Sequence, residues 1–72
     1  MSKSDIKKSL GIRIRSIRSD QGMTQEELAH NSGLHVTYLS MIEHGKRNPS
    51  LQVLQGVAKG LKISLSTLLE GL

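Results

Sequence analysis

Thr24 to Glu43, TQEELAHNSGLHVTYLSMIE, places apolar and small residues where two short helices cross at a tight turn. Leu28 and Ala29 share the inward side of the first of them. Gly33 permits the turn, Leu34 plugs it, and Leu39 and Ile42 anchor the second helix. Left outside on that second helix are Val36, Thr37, Ser40, Met41 and His44, at i, i+1, i+4, i+5 and i+8, which form one continuous face. The pattern predicts a helix-turn-helix, and with it a surface that reads DNA.

Working outward, Thr24 and Glu27 have the spacing of a capping box, so the helix begins at Gln25 and runs to about Ser32. Its first turn offers free amides and the positive end of a helix dipole, a seat suited to phosphate. The next helix spans Val36 to His44, with His35 as an imperfect cap, and stops at Gly45. Before the motif, Ile6, Leu10, Ile14 and Ile17 recur with helical period in a helix from Ser4 or Asp5 to Gln21, ended by Gly22. Its other face carries Lys7, Lys8, Arg13 and Arg15, as a solvated surface or along phosphates.

After the motif, Gly45-Lys46-Arg47-Asn48-Pro49 must be an exposed loop, because it joins a helix-ending glycine, two cations and a proline. Ser50 then caps a fourth helix in which Leu51, Leu54, Ala58 and Leu61 recur. Gly56 and Gly60 within it suit close approach of a neighbouring backbone. Ser64 caps a short fifth helix whose Leu65, Leu68, Leu69 and Leu72 cluster on one side. Those leucines complete the monomer core or form a dimer interface. The second reading is favoured, because so short a chain has little interior left for four leucines.

Composition sets the limits. Seventy-two residues make one small domain, 1–72, near the size at which a single core is marginal. Phe and Trp are absent and Tyr38 is the only aromatic, so the core is aliphatic and suits helix-on-helix packing. Ten Lys and Arg against six Asp and Glu give a net charge of +4 and a pI near 9.9, which favours a polyanionic partner. No cysteine is present for disulfide or thiolate chemistry. No apolar run spans a bilayer, and MSKSDIKKSL lacks the apolar centre of a signal peptide, so a cytoplasmic location is expected.

With these residues in place, the chain resembles the Cro/CI-type (XRE) helix-turn-helix regulators of bacteria and phages along nearly its whole length. The resemblance rests on MTQEELA, the turn SGL, the string YLSMIE, the loop GKRNPS and the closing pattern through VAKGLKISLSTLL. Thr37-Tyr38 together with Arg47-Asn48 is most similar to the small controller proteins of restriction-modification systems, while phage-type repressors and antitoxins share much of the framework. The resemblance implies an all-α, compact five-helix, lambda-repressor-like DNA-binding domain, its third helix in the major groove and its second across the backbone. It assigns base edges to Val36, Thr37 and Met41, with Ser40 reaching a base or phosphate. Gln25, Tyr38, Lys46, Arg47 and Asn48 fall at its backbone-contacting positions, and His44 is placed with them on the exposed face. Arg18 and Glu43 match a family salt bridge.

Val36 and Met41 depart from the polar readers common in the family. An apolar side chain cannot make the bidentate bonds that read guanine or adenine, but it packs on a thymine methyl. Specificity then leans on Thr37, Ser40, His44 and DNA shape, and an A·T-rich pseudo-palindrome bound by a homodimer is expected, on a bacterial or phage-encoded chain associated with the nucleoid. Glu26 and Glu27 are exposed acids, either merely solvated or in reach of RNA polymerase.

Other classes fit less well. No nucleophile and base, carboxylate pair or glycine-rich phosphate loop is evident, so no enzyme, cofactor or small-molecule substrate is expected. His30, His35 and His44 lack cysteine partners and HxxxH spacing, which argues against a metal. An antitoxin acting mainly on a protein would usually carry an additional binding segment. RNA is disfavoured because an A-form major groove excludes a helix and no aromatic platform is present.

Overall fold

The computed structural model describes residues 4–72, which hold five helices and no strand; residues 1–3 of the expected domain lie outside the described residues. The elements are α1 (Ser4–Asp20), α2 (Gln25–Ser32), α3 (Val36–Glu43), α4 (Leu51–Gly60) and α5 (Leu65–Leu68). Side-chain chemistry sets the helix starts. The Thr24 hydroxyl accepts from the Glu27 amide at 3.1 Å while Glu27 Oε1 accepts from the Thr24 amide at 2.9 Å, closing the capping box. Ser50 and Ser64 accept from the amides of Val53 and Thr67, each at 3.1 Å. His35 precedes α3 without a side-chain cap, and His44 falls just outside that helix as its C-terminal cap.

Four helices stop in the same way, with one residue in the left-handed region and paired backbone bonds to the last turn. Three of these residues are glycines, Gly22, Gly33 and Gly45. The fourth, after α4, is Lys62 at φ 60°. There the Lys62 amide donates to the Lys59 carbonyl and the Ile63 amide to the Ala58 carbonyl, each at 3.0 Å.

The core is aliphatic throughout: Leu10, Ile14, Leu28, Ala29, Leu39, Ile42, Leu54, Val57, Ala58, Leu61 and Leu68 are buried. Two outer members of the expected helical faces miss it. Ile6 and Leu51 are 58% and 67% exposed, since each lies about a turn ahead of the first buried residue described in its helix, Leu10 and Leu54. The leucines at the C-terminal end divide. Leu68 has no exposed surface, Leu65 and Leu69 lie partly buried against the core, and Leu72 is exposed. The expected four-leucine dimer surface is therefore corrected at Leu68, which the monomer interior already occupies.

Two helix contacts depend on missing side chains. Gly60 brings α4 onto α2, where an added methyl would lie 2.5 Å from Ser32 Oγ and 3.1 Å from Leu28 Cδ1. Gly11 brings α1 onto the end of α3. A methyl there would overlap the Glu43 carbonyl oxygen and lie 2.6 Å from that of Ile42. The sequence pattern pointed to Gly60 but not to Gly11.

Candidate nucleic-acid interface

α3 carries the exposed face that the spacing predicted. Leu39, Ile42 and Glu43 are buried beneath it; Thr37, His44, Val36 and Met41 face solvent, the last two at 37% exposure, and Ser40 is half-buried. The face is thus mixed, with two apolar side chains beside two hydroxyls and an imidazole. His44 Nδ1 lies 2.7 Å from the Ser40 carbonyl oxygen. A carbonyl only accepts, so that nitrogen carries the proton and Nε2 remains free for another group.

A buried polar network fixes this helix to the scaffold. Arg18 on α1 donates from Nε to Glu43 Oε2 at 2.8 Å and from Nη2 to Oε1 at 3.0 Å. Its Nη1 donates to the Met23 carbonyl at 2.8 Å, in the turn ahead of α2. The hydrogen bonds to Glu43 hold the guanidinium above its ordinary pKa, against the opposing effect of burial. The Glu43 side chain is 1% exposed, so the pair sits at low dielectric with both carboxylate oxygens engaged.

Gln25, the first residue of α2, joins the same network: its Nε2 donates to Glu43 Oε1 at 3.0 Å. The resemblance had placed this side chain at a phosphate, and its tie to Glu43 was not anticipated. A primary amide has two N–H donors, so one remains available while the other holds Glu43. The network therefore links the start of α2, the end of α3 and the last turn of α1 at one point.

Beyond α3, Lys46, Arg47 and Asn48 are exposed and Pro49 is buried. The Arg47 guanidinium carbon lies 5.2 Å from the centre of the half-buried Tyr38 ring, a cation–π contact that joins the loop to the first turn of α3. Nothing in the one-dimensional pattern signals this stack.

The cations of α1 have unequal roles. Arg13, expected on a solvated or phosphate-facing surface, instead donates from Nη2 to the Thr67 carbonyl at 2.8 Å and from Nε to that of Leu68 at 3.3 Å. It caps the carbonyls at the end of α5, that of Thr67 also accepting from the Glu70 amide. Lys7 borders an apolar groove formed with Ile6, Leu10, Pro49, Leu69 and Leu72. Lys8 and Arg15 remain exposed.

No group of three or more His, Cys, Asp or Glu side chains is arranged to hold a metal ion among the described residues. Nor is any described helix long and apolar enough to cross a membrane.

Comparison with known proteins agrees with this geometry. Control protein C.SmaI of Serratia marcescens is 43% identical over 65 residues, covering 90% of this chain and 77% of that protein. Control protein C.BamHI of Bacillus amyloliquefaciens is 40% identical over 67 residues, covering 92% and 83%. The crystal structure of the restriction-modification controller protein C.AhdI from Aeromonas hydrophila superposes with a TM-score of 0.83 at 39% identity, covering 89% of this chain and 96% of that one. The helix-turn-helix family profile matches residues 14–68, from the middle of α1 to the end of α5. With that match and these relatives, the chain belongs to the XRE-type helix-turn-helix family.

Proposed function

We propose that this chain is a sequence-specific transcriptional regulator of double-stranded DNA, of the restriction-modification controller type, acting by binding rather than by catalysis. The single observation that carries the reading is the exposed α3 face, held rigid by Arg18, Glu43 and Gln25 and flanked by Arg47 stacked on Tyr38. Val36, Thr37, Ser40 and Met41 read base edges; the two apolar members favour thymine methyls. Gln25, Tyr38, His44, Lys46, Arg47 and Asn48 hold the backbone, and phosphate contacts of this kind set register without specifying sequence.

Residues 1–72 act as one DNA-binding unit, and two such units pair about a two-fold axis. This places their copies of α3 roughly 34 Å apart on a pseudo-palindromic operator. Leu65, Leu69 and Leu72 contribute the pairing surface, with Leu68 beneath them in the core. In this reading the protein works in the bacterial cytoplasm at the nucleoid. Glu26 is the exposed acid of α2 left for a polymerase contact, since Glu27 is engaged in its capping box.

Selection of bound sequences from random duplexes tests the reading, because it reports site, symmetry and half-site spacing together. A palindromic, A·T-rich site is expected. Arg47→Ala should weaken binding to every duplex, whereas Thr37→Ala or Met41→Ala should change the preference among duplexes. Equal effects of both kinds on selected and random DNA would overturn the assignment of readers. A monomer in sedimentation, well above the DNA-binding concentration, would overturn the symmetric arrangement.

A further inference from the structure

We propose that Lys8 of α1 is an additional phosphate-contacting residue that extends the backbone grip of the Gly45–Asn48 loop; the inference rests on the DNA-binding reading above. Its position follows from the helix contact that Gly11 allows. With no side chain at Gly11, α1 lies directly on the Ile42 and Glu43 carbonyls at the end of α3. Three residues earlier on the same side, Lys8 abuts the exit of that helix. A methyl placed on Gly45 would lie 3.0 Å from Lys8 Cγ, 3.1 Å from its Cα and 3.2 Å from its backbone nitrogen.

Lys8 is therefore in van der Waals reach of the residue that opens the cationic loop, and its side chain is exposed. A lysine stem extends about 6 Å from its Cα, enough to set the ammonium beside Lys46 and Arg47 at the flank of α3. Arg15, also exposed, lies seven residues beyond Lys8, about 10 Å further along the helix axis from the loop. Arg13 is held by the Thr67 and Leu68 carbonyls, Arg18 by Glu43 and Met23, and Lys7 borders the apolar groove. Lys8 is thus the α1 cation both free of a partner among the described residues and adjacent to the loop.

A competing role is structural, since a cation beside the C-terminal end of α3 also complements the negative end of its dipole. The two roles separate by salt dependence. Binding of Lys8→Gln to a duplex obtained by selection is measured across a series of salt concentrations, with Lys59→Gln on α4 as a charge-matched control and Arg47→Ala as a reference. For Lys8→Gln the slope of log K against log salt should become shallower by about 0.9 for each protomer bound. Its thermal midpoint should stay at that of the parent chain, and Lys8→Arg should restore the slope. Lys59→Gln should leave the slope unchanged. An unchanged slope for Lys8→Gln beside a shallower one for Arg47→Ala overturns the role of Lys8 and keeps the DNA-binding reading. A lowered thermal midpoint with an unchanged slope assigns Lys8 to the helix end instead. Parental binding and slope in Arg47→Ala itself would count against the DNA-binding reading.

Discussion

Arg18 and Glu43, 25 positions apart, meet through two hydrogen bonds of 2.8 and 3.0 Å, and this pairing fixes the orientation of α3. The carboxylate is fully enclosed, so removing it strands a guanidinium that is only 14% exposed. Glu43→Leu should lower unfolding free energy by about 3 kcal/mol, whereas Arg18→Met with Glu43→Leu should recover much of that loss. Urea unfolding of both single variants and the double variant measures the coupling. Additive losses would show that the pair does not act as a unit.

Gly11→Ala forces a methyl onto two carbonyl oxygens that belong to backbone and cannot rotate away. The expected loss is about 1–3 kcal/mol, larger than the gain in helix propensity that alanine brings. Gly56→Ala is the comparison, since its methyl would lie 3.3 Å from the Ser32 carbonyl oxygen. Thermal unfolding should therefore rank Gly11→Ala well below Gly56→Ala, and the reverse order would show that α1 and α3 can separate at little cost.

Lys62 occupies a left-handed position that glycine fills at the ends of α1, α2 and α3. Its amide is bonded to the Lys59 carbonyl, so the penalty for this conformation is steric. Lys62→Gly should raise stability by about 0.5–1 kcal/mol, part of the relief being returned through the freer unfolded chain. Calorimetry of the two proteins at equal concentration checks this, and a lower midpoint for the glycine variant would contradict it.

The Glu27 carboxylate is held below its ordinary pKa, first by the backbone amide of Thr24 and then by its hydroxyl. A depressed folded-state pKa gives stability that is present above the unfolded pKa, about 4.3, and is lost as pH falls through the folded value. Glu27→Gln keeps an acceptor for the Thr24 amide but does not titrate. Stability measured from pH 6 down to pH 3 should thus fall less steeply in Glu27→Gln than in the parent chain. Parallel curves would remove Glu27 from the acid response.

The fold was largely legible because its determinants are local. The Thr24 and Glu27 cap, the serines at 50 and 64 and the glycines at 22, 33 and 45 each act within a turn of their own position. The exposed face of α3 followed equally from its period. What escaped the one-dimensional reading depends on three-dimensional proximity between distant segments. The amide of Gln25 finds Glu43, Arg47 covers Tyr38, and Arg13 turns from solvent to the end of α5. Periodicity assigns each of these side chains to a surface without naming its partner. For Arg18 and Glu43 the pairing came from family resemblance. The division of the C-terminal leucines was also hidden, since four residues at helical spacing look alike until the depth of the core decides which one it covers.

Arg13 has a consequence for how two copies of the chain can meet. A helix of four residues is too short to nucleate alone, so α5 owes its shape to Leu68 beneath it and to the guanidinium bonded to its last carbonyls. Both tethers are made to the same chain. Lending this segment to a neighbour would empty a core site and strand an arginine together, which disfavours exchange of C-terminal ends. The pairing proposed above would therefore lay finished surfaces against each other, and the two copies would part and re-form without either one unfolding.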